Sequence, residues 1–69
     1  MKFMAQRRGK TTDIFDTAQA AREDWHAKYP REKFCSVFEG IEGPNGTFIR
    51  PWNARMWCDV PKTAEPLGE

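Results

Sequence analysis

Few residues in this chain are equipped for bond chemistry: one histidine, His26, and two cysteines, Cys35 and Cys58. Nucleophilic catalysis needs a thiol or hydroxyl with a base fixed beside it. No motif places a nucleophile near His26, which stands next to Trp25 and reads as a partly exposed helix residue. Cys35 and Cys58 lie far apart, and with a single histidine they do not make the three or four ligands of a metal site. In a reducing compartment they read as small buried hydrophobes. A disulfide between neighbouring strands is the alternative, and a catalytic thiol ranks last because neither has an obvious base. The carboxylates come in near pairs, Asp13 with Asp16, Glu23 with Asp24 and Glu39 with Glu42. Acid–base work would need a cleft that separates their pKa values, and so short a chain has little room for one, so they read as solvated faces. Gly40, Gly43 and Gly46 suit a hairpin better than a phosphate loop. The expectation is a protein without catalytic residues, metal or cofactor.

Recognition chemistry is better represented. Net charge is only +1, but residues 1–10 carry Lys2, Arg7, Arg8 and Lys10 and no acid. Residues 11–30 set Asp13, Asp16, Glu23 and Asp24 against Arg22 and Lys28. The first turn is therefore a basic knob on a nearly neutral body, which Arg31 and Lys33 could join or supplement with a second basic spot. Arg50 and Arg55 flank Trp52, beside Pro51 near a turn. An exposed tryptophan with arginines around it suits a protein-binding hot spot. The candidate binding residues are Arg7, Arg8, Lys10, Arg50, Trp52 and Arg55. Basic residues among aromatics also suit nucleic acid, although such domains usually carry more net charge. Trp25 and Trp57 read as core.

The elements that would position these residues follow from periodicity. Lys2–Gln6 alternates as a strand, with Phe3 and Ala5 on one face and Lys2, Met4 and Gln6 on the other. Arg7–Lys10 is a turn in which Gly9 takes positive φ, and Thr11–Phe15 returns as a brief strand or leads into a helix. Asp16 is the expected N-cap, with Gln19 completing a capping box and Phe15 packing on Ala20. Ala18, Ala21, Trp25 and Tyr29 form an apolar stripe, and Pro30 ends the helix. Lys33–Ile41 is the main strand, with Phe34, Ser36 and Phe38 on one face and Cys35, Val37 and Glu39 on the other, as in a central or well-covered strand. Glu42–Gly46 is a turn, Thr47–Trp52 a strand interrupted by Pro51, and Asn53–Arg55 a second turn. Met56–Val60 closes the sheet, with Met56, Cys58 and Val60 on one face and Trp57 and Asp59 on the other. The fold class is α+β: a three- to four-stranded antiparallel sheet with one helix on a face, in the order β-α-β-β-β. Residues 1–60 form the domain and 61–69 a flexible tail.

Sixty-nine residues make one small domain. A core of that size supplies only about 3–5 kcal/mol unless something reinforces it. Here the reinforcement is aromatic: three Trp, five Phe and one Tyr, each able to bury roughly 150–250 Å². No stretch reaches the roughly 18 apolar residues of a membrane span. Charges occupy the place of a signal peptide's apolar core, so a cytoplasmic protein is expected.

Lys2-Phe3-Met4-Ala5 opening a strand, Thr17-Ala18-Gln19-Ala20-Ala21 opening the helix and Trp57-Cys58-Asp59 in the last strand give a layout that resembles small type I anti-CRISPR proteins of phages and mobile elements. The resemblance implies a stoichiometric inhibitor, in the host cytoplasm, that occupies a subunit surface of an RNA-guided surveillance complex or the path of its target DNA. The basic knob would then meet an acidic protein surface or nucleic acid. A net charge of +1 departs from the strongly acidic members that imitate DNA. The leading expectation is thus a small binding protein, an inhibitor of a host protein or nucleoprotein complex. A small nucleic-acid-binding regulator is the alternative, a homodimer paired through a strand edge a third reading, and an enzyme the last.

Overall fold

The computed structural model describes residues 1–62 and Leu67. It is α+β, with β1 (Lys2–Arg7), β2 (Lys10–Thr11), α1 (Ala18–Lys28), β3 (Phe34–Glu42), β4 (Phe48–Ile49) and β5 (Met56–Pro61). All strand pairs are antiparallel. β3 is the axis: β1 runs along one side from Lys2↔Gly40 to Gln6↔Ser36, while β5 and then β4 share the other side. Arg7–Lys10 closes a two-residue hairpin in which both Arg8 (φ 52°) and Gly9 (φ 81°) are left-handed, the turn that matches strand twist. Thr11–Phe15 does both of the things expected of it. Lys10–Thr11 pairs with β1, the Thr12 hydroxyl accepts from Ala5 N–H at 3.0 Å, and Phe15 exchanges two backbone bonds with Phe3 before the chain enters the helix.

The helix cap differs from expectation by one residue. Thr17 is extended (φ −135°, ψ 152°) and its hydroxyl accepts from Ala20 N–H. Asp16 instead pairs with the Lys2 ammonium, which holds its carboxyl below the ordinary carboxylate range. Gln19, freed from the capping box, accepts from Arg22 and from the Leu67 N–H. At the other end Tyr29 N–H returns to the Trp25 carbonyl before Pro30.

The core lies between α1 and one face of the sheet. Ala18, Ala21 and Trp25 meet Ala5, Cys35, Val37 and Val60, with Phe3, Phe15, Tyr29, Trp57 and Leu67 packed around them. Small alanines let the helix approach, and Trp25, fully excluded from solvent, fills the remaining space. The β5 facing is corrected relative to simple alternation. Trp57 pairs with Val37 and Val60 with Cys35, so one extra residue bulges between them, at Cys58-Asp59. Asp59 adopts φ 53°, and the bulge turns both Trp57 and Val60 onto the core face while Met56, paired with Phe38, points to the other. The expected flexible tail over 61–69 falls mostly outside the described residues. Pro61 ends β5, and Leu67 is held against the core.

β4 is shorter than the expected Thr47–Trp52, since the chain leaves the sheet before Pro51 and turns over 51–54 through the Ala54 N–H to Pro51 carbonyl bond. The β3–β4 hairpin passes through a 3-10 turn at Pro44–Gly46 and folds Phe48 onto Gly40. A Cβ on Gly40 would sit 2.4 Å from the Ile49 carbonyl oxygen and 2.7 Å from the Phe48 ring. Gly40→Ala should therefore cost about 1–3 kcal/mol and lower the thermal midpoint by roughly 5–20 °C. An unchanged midpoint in a calorimetric scan would contradict this close approach.

Candidate binding surface

One helix covers one face of the sheet. β3, apolar on both sides, is the central strand of the sheet, and no helix among the described residues packs across the opposite face. It carries Phe34, Ser36 and Phe38 from β3, Met4 and Gln6 from β1 and Met56 from β5. Phe34 is 40% exposed and Met56 53%. Phe38 is buried by its neighbours on the strands and by Arg50, whose guanidinium lies 4.2 Å above the ring. Trp52 stands next to this pair, 97% exposed, and with Phe38, Arg50, Pro51, Ala54 and Met56 it borders a shallow depression of about 280 Å³. The sheet thus ends in an arginine stacked on one aromatic ring beside a second ring open to solvent.

At the other end of the same face Phe34 lines a depression with Arg7, Arg8, Arg31, Glu32 and Lys33. Two separate chain segments, the β1–β2 turn and the loop after the helix, bring these cations together. Lys10 lies outside this cleft, tied to Glu32 at 3.6 Å and set over the Tyr29 ring at 5.4 Å. Arg7 is also engaged, with Asp59 at 3.4 Å. Of the four cations read as the basic knob, Lys2, Arg7 and Lys10 are held by acids, and Arg31 and Lys33 join Arg7 and Arg8, one of the two outcomes the sequence allowed.

Of the six residues singled out by sequence, the structure groups Arg50 with Trp52 and Arg7 with Arg8. It separates Arg55, whose guanidinium lies 4.7 Å over the Trp57 ring on the helix-covered side, so Arg50 and Arg55 do not jointly frame Trp52. Phe34, Phe38, Met4 and Met56 were not singled out. Their signal was present in the two-sided apolar pattern of β3, set against a chain with only one helix to cover it.

The chemistry-bearing residues are dispersed. His26 is buried, contrary to its reading as a partly exposed residue. The reason is that α1 turns a wide face inward, adding Arg22 and His26 to the alanine–tryptophan stripe. Its Nε2 meets no hydrogen-bond partner among the described residues. Burial holds its pKa below the ordinary 6.5, reinforced by the Arg22 and Lys62 charges and opposed by backbone contacts to Val60 and Glu32. Cys35 is buried and its thiol is pushed up to about 11 by desolvation, so it stays protonated. Cys58 is exposed rather than buried, and both thiols are free. Among the described residues, no group of three or more His, Cys, Asp and Glu could hold a metal ion, and no helix is long and apolar enough to cross a membrane. Lys28 gathers the part-buried Asp24 at 3.1 Å and the exposed Asp13 at 3.9 Å, so these carboxylates serve an ion-pair cluster on the helix. Comparison with protein-family models, curated proteins and solved structures returns no significant match.

The buried imidazole gives a pH dependence with a definite sign. Its folded pKa lies below 6.5, so the unfolded chain takes up the proton first. Stability is then unaffected by this group above about pH 6.5 and falls as pH drops from there towards the folded value. An NMR titration of the His26 ring should give a midpoint below 6.5, and a midpoint at or above 6.5 would contradict its burial.

Proposed function

We propose that this chain is a small non-catalytic binding protein whose working surface is the uncovered face of its sheet. The observation that carries the reading is the set of apolar side chains left without cover there, Trp52, Met56 and Phe34, next to the Arg50–Phe38 stack. A chain with so little core material to spare places a tryptophan 97% in solvent where it contributes nothing to folding. Tryptophan and arginine together are the residues that most often dominate binding energy. The inhibitor of an RNA-guided defence complex implied by the layout is one specific form of this reading. The strand-edge homodimer is less favoured: the β5 edge carries the Cys58-Asp59 bulge and ends in Pro61, both of which obstruct edge pairing.

The test compares wild type with a Trp52→Ala, Met56→Ser double variant, immobilised and exposed to host-cell extract, with thermal unfolding as a folding control. The variant should still unfold cooperatively, at a midpoint lowered by roughly a few degrees through the thinner cover on Phe38, and lose about tenfold or more of whatever the wild type retains. Equal retention would remove the open face as the working surface. Expression in cells whose type I CRISPR system protects them from a phage tests the inhibitor form. Restored plaques support it, and an unchanged plaque count removes it.

A further inference from the structure

The two ends of the open face have the same sign of charge, and the middle is apolar. At one end Arg8, Arg31 and Lys33 gather around Phe34; at the other Arg50 lies over Phe38 beside Trp52. Between them run Ser36, Gln6, Met4 and Met56. Phe34 and Phe38 are four residues apart on one strand and project from the same side, a separation of about 13 Å. Asp13 and Asp24 lie away from this strip, on Lys28. Asp59 pairs with Arg7 at the margin of the basic cleft, and Asp16 with Lys2, which shares the Met4 face of β1. Two further acids approach the strip. Glu32 lines the basic cleft, held by Lys10, and Glu42 shares the strand face beyond Gly40, paired with Phe48 at the hairpin end.

We infer that the open face binds single-stranded nucleic acid, with bases stacked on Trp52 and on Phe34 and the backbone phosphates held by Arg50 at one end and by Arg8, Arg31 and Lys33 at the other. This rests on the open face being the working surface and assigns its partner. The physical case is charge complementarity joined to ring exposure. A polyanion with flat, separable bases is the partner that uses cations at both ends and aromatic faces between them. A protein partner would use the rings but would need two acidic patches at this spacing. A duplex offers phosphates but keeps its bases stacked away from Phe34 and Trp52. Net charge of +1 is compatible with this, because among the described residues Arg8, Arg31, Lys33 and Arg50 form no salt bridge.

The experiment is fluorescence anisotropy with end-labelled twelve-nucleotide probes, oligo-dT, oligo-U and a twelve-base-pair duplex, at 50 and 200 mM salt. A single strand should bind at 50 mM salt with a Kd of order 10⁻⁶–10⁻⁴ M. It should weaken about 20- to 50-fold at 200 mM, as three to four phosphate contacts require. Trp52→Ala should weaken it about tenfold at either salt, as loss of one stacked base does. Lys33→Glu with Arg50→Glu should weaken it further and flatten the salt dependence. No binding of either strand at 50 mM salt overturns the inference while leaving the open-face reading to its own extract test. Binding indifferent to all three substitutions overturns the assignment to this face. Equal affinity for the duplex overturns the stacking mode. A protein captured through Trp52 and Met56, with no oligonucleotide binding, would make the partner a protein.

Discussion

The structure depends on the seating of a single eleven-residue helix through Trp25. Trp25 is wholly excluded from solvent, among Ala5, Ala21, Cys35 and Val37, which are excluded to the same degree. Truncating a buried tryptophan costs about 3–5 kcal/mol, which is as much as a core of this size supplies in total. Ala18 and Ala21 bring the helix backbone close enough for the ring to reach β3, and the β5 bulge delivers Val60 and Trp57 to the same side. The Phe3–Trp57 contact, with ring centroids 6.1 Å apart, closes the end of that layer.

A domain with one helix and one sheet has two layers, and the far face of the sheet has nothing to lie against. Here that face is not polar, as a solvent-facing antiparallel sheet usually is. It is sheltered in the middle, where Met4, Met56 and Arg50 bury Phe38, and open at the ends, where Phe34 and Trp52 are exposed. The cations follow the same division. Those that neutralise the helix surface or the β5 bulge are paired with acids, whereas Arg8, Arg31, Lys33 and Arg50 at the ends of the open face form no salt bridge among the described residues, and Glu32 beside them is held by Lys10. The aromatic residues divide in the same way: Trp25 and Trp57 hold the layers together, and Trp52 is left exposed at the end of the open face.

Much of the scaffold was legible from residue patterns. The alternation in Lys2–Gln6 and Phe34–Val37, the Ala18–Ala21–Trp25 stripe, Gly9 in a tight turn and Pro51 breaking the fourth strand each express a local preference that the folded chain keeps. Features set by non-local contacts were not legible. Thr17 displaced Asp16 as cap because Lys2, distant in sequence, claims the Asp16 carboxylate. The β5 register followed a bulge that no local signal marks, and so Cys58 emerged at the surface. His26 and Arg22 were drawn inward because the sheet under the helix is wider than the alanine stripe. For the candidate site, Trp52 and Arg50 were evident from proximity in sequence. The convergence of Arg8 with Arg31 and Lys33, and the separation of Arg55, needed the β1–β2 turn and the helix exit to be placed side by side.

The central claim is that one face of the sheet is core and the other is contact surface, and the methionine methyl and tryptophan indole resonances report on both at once. Met4 and Met56 lie on the open face with Trp52 beside Met56, whereas Trp25 and Trp57 lie on the covered one. A titration with single-stranded oligo-dT followed by methyl and indole NMR should shift the Met4, Met56 and Trp52 signals and leave Trp25 in place. Shifts confined to the helix side, or a Trp52 indole that does not respond while the oligonucleotide binds, would contradict the account.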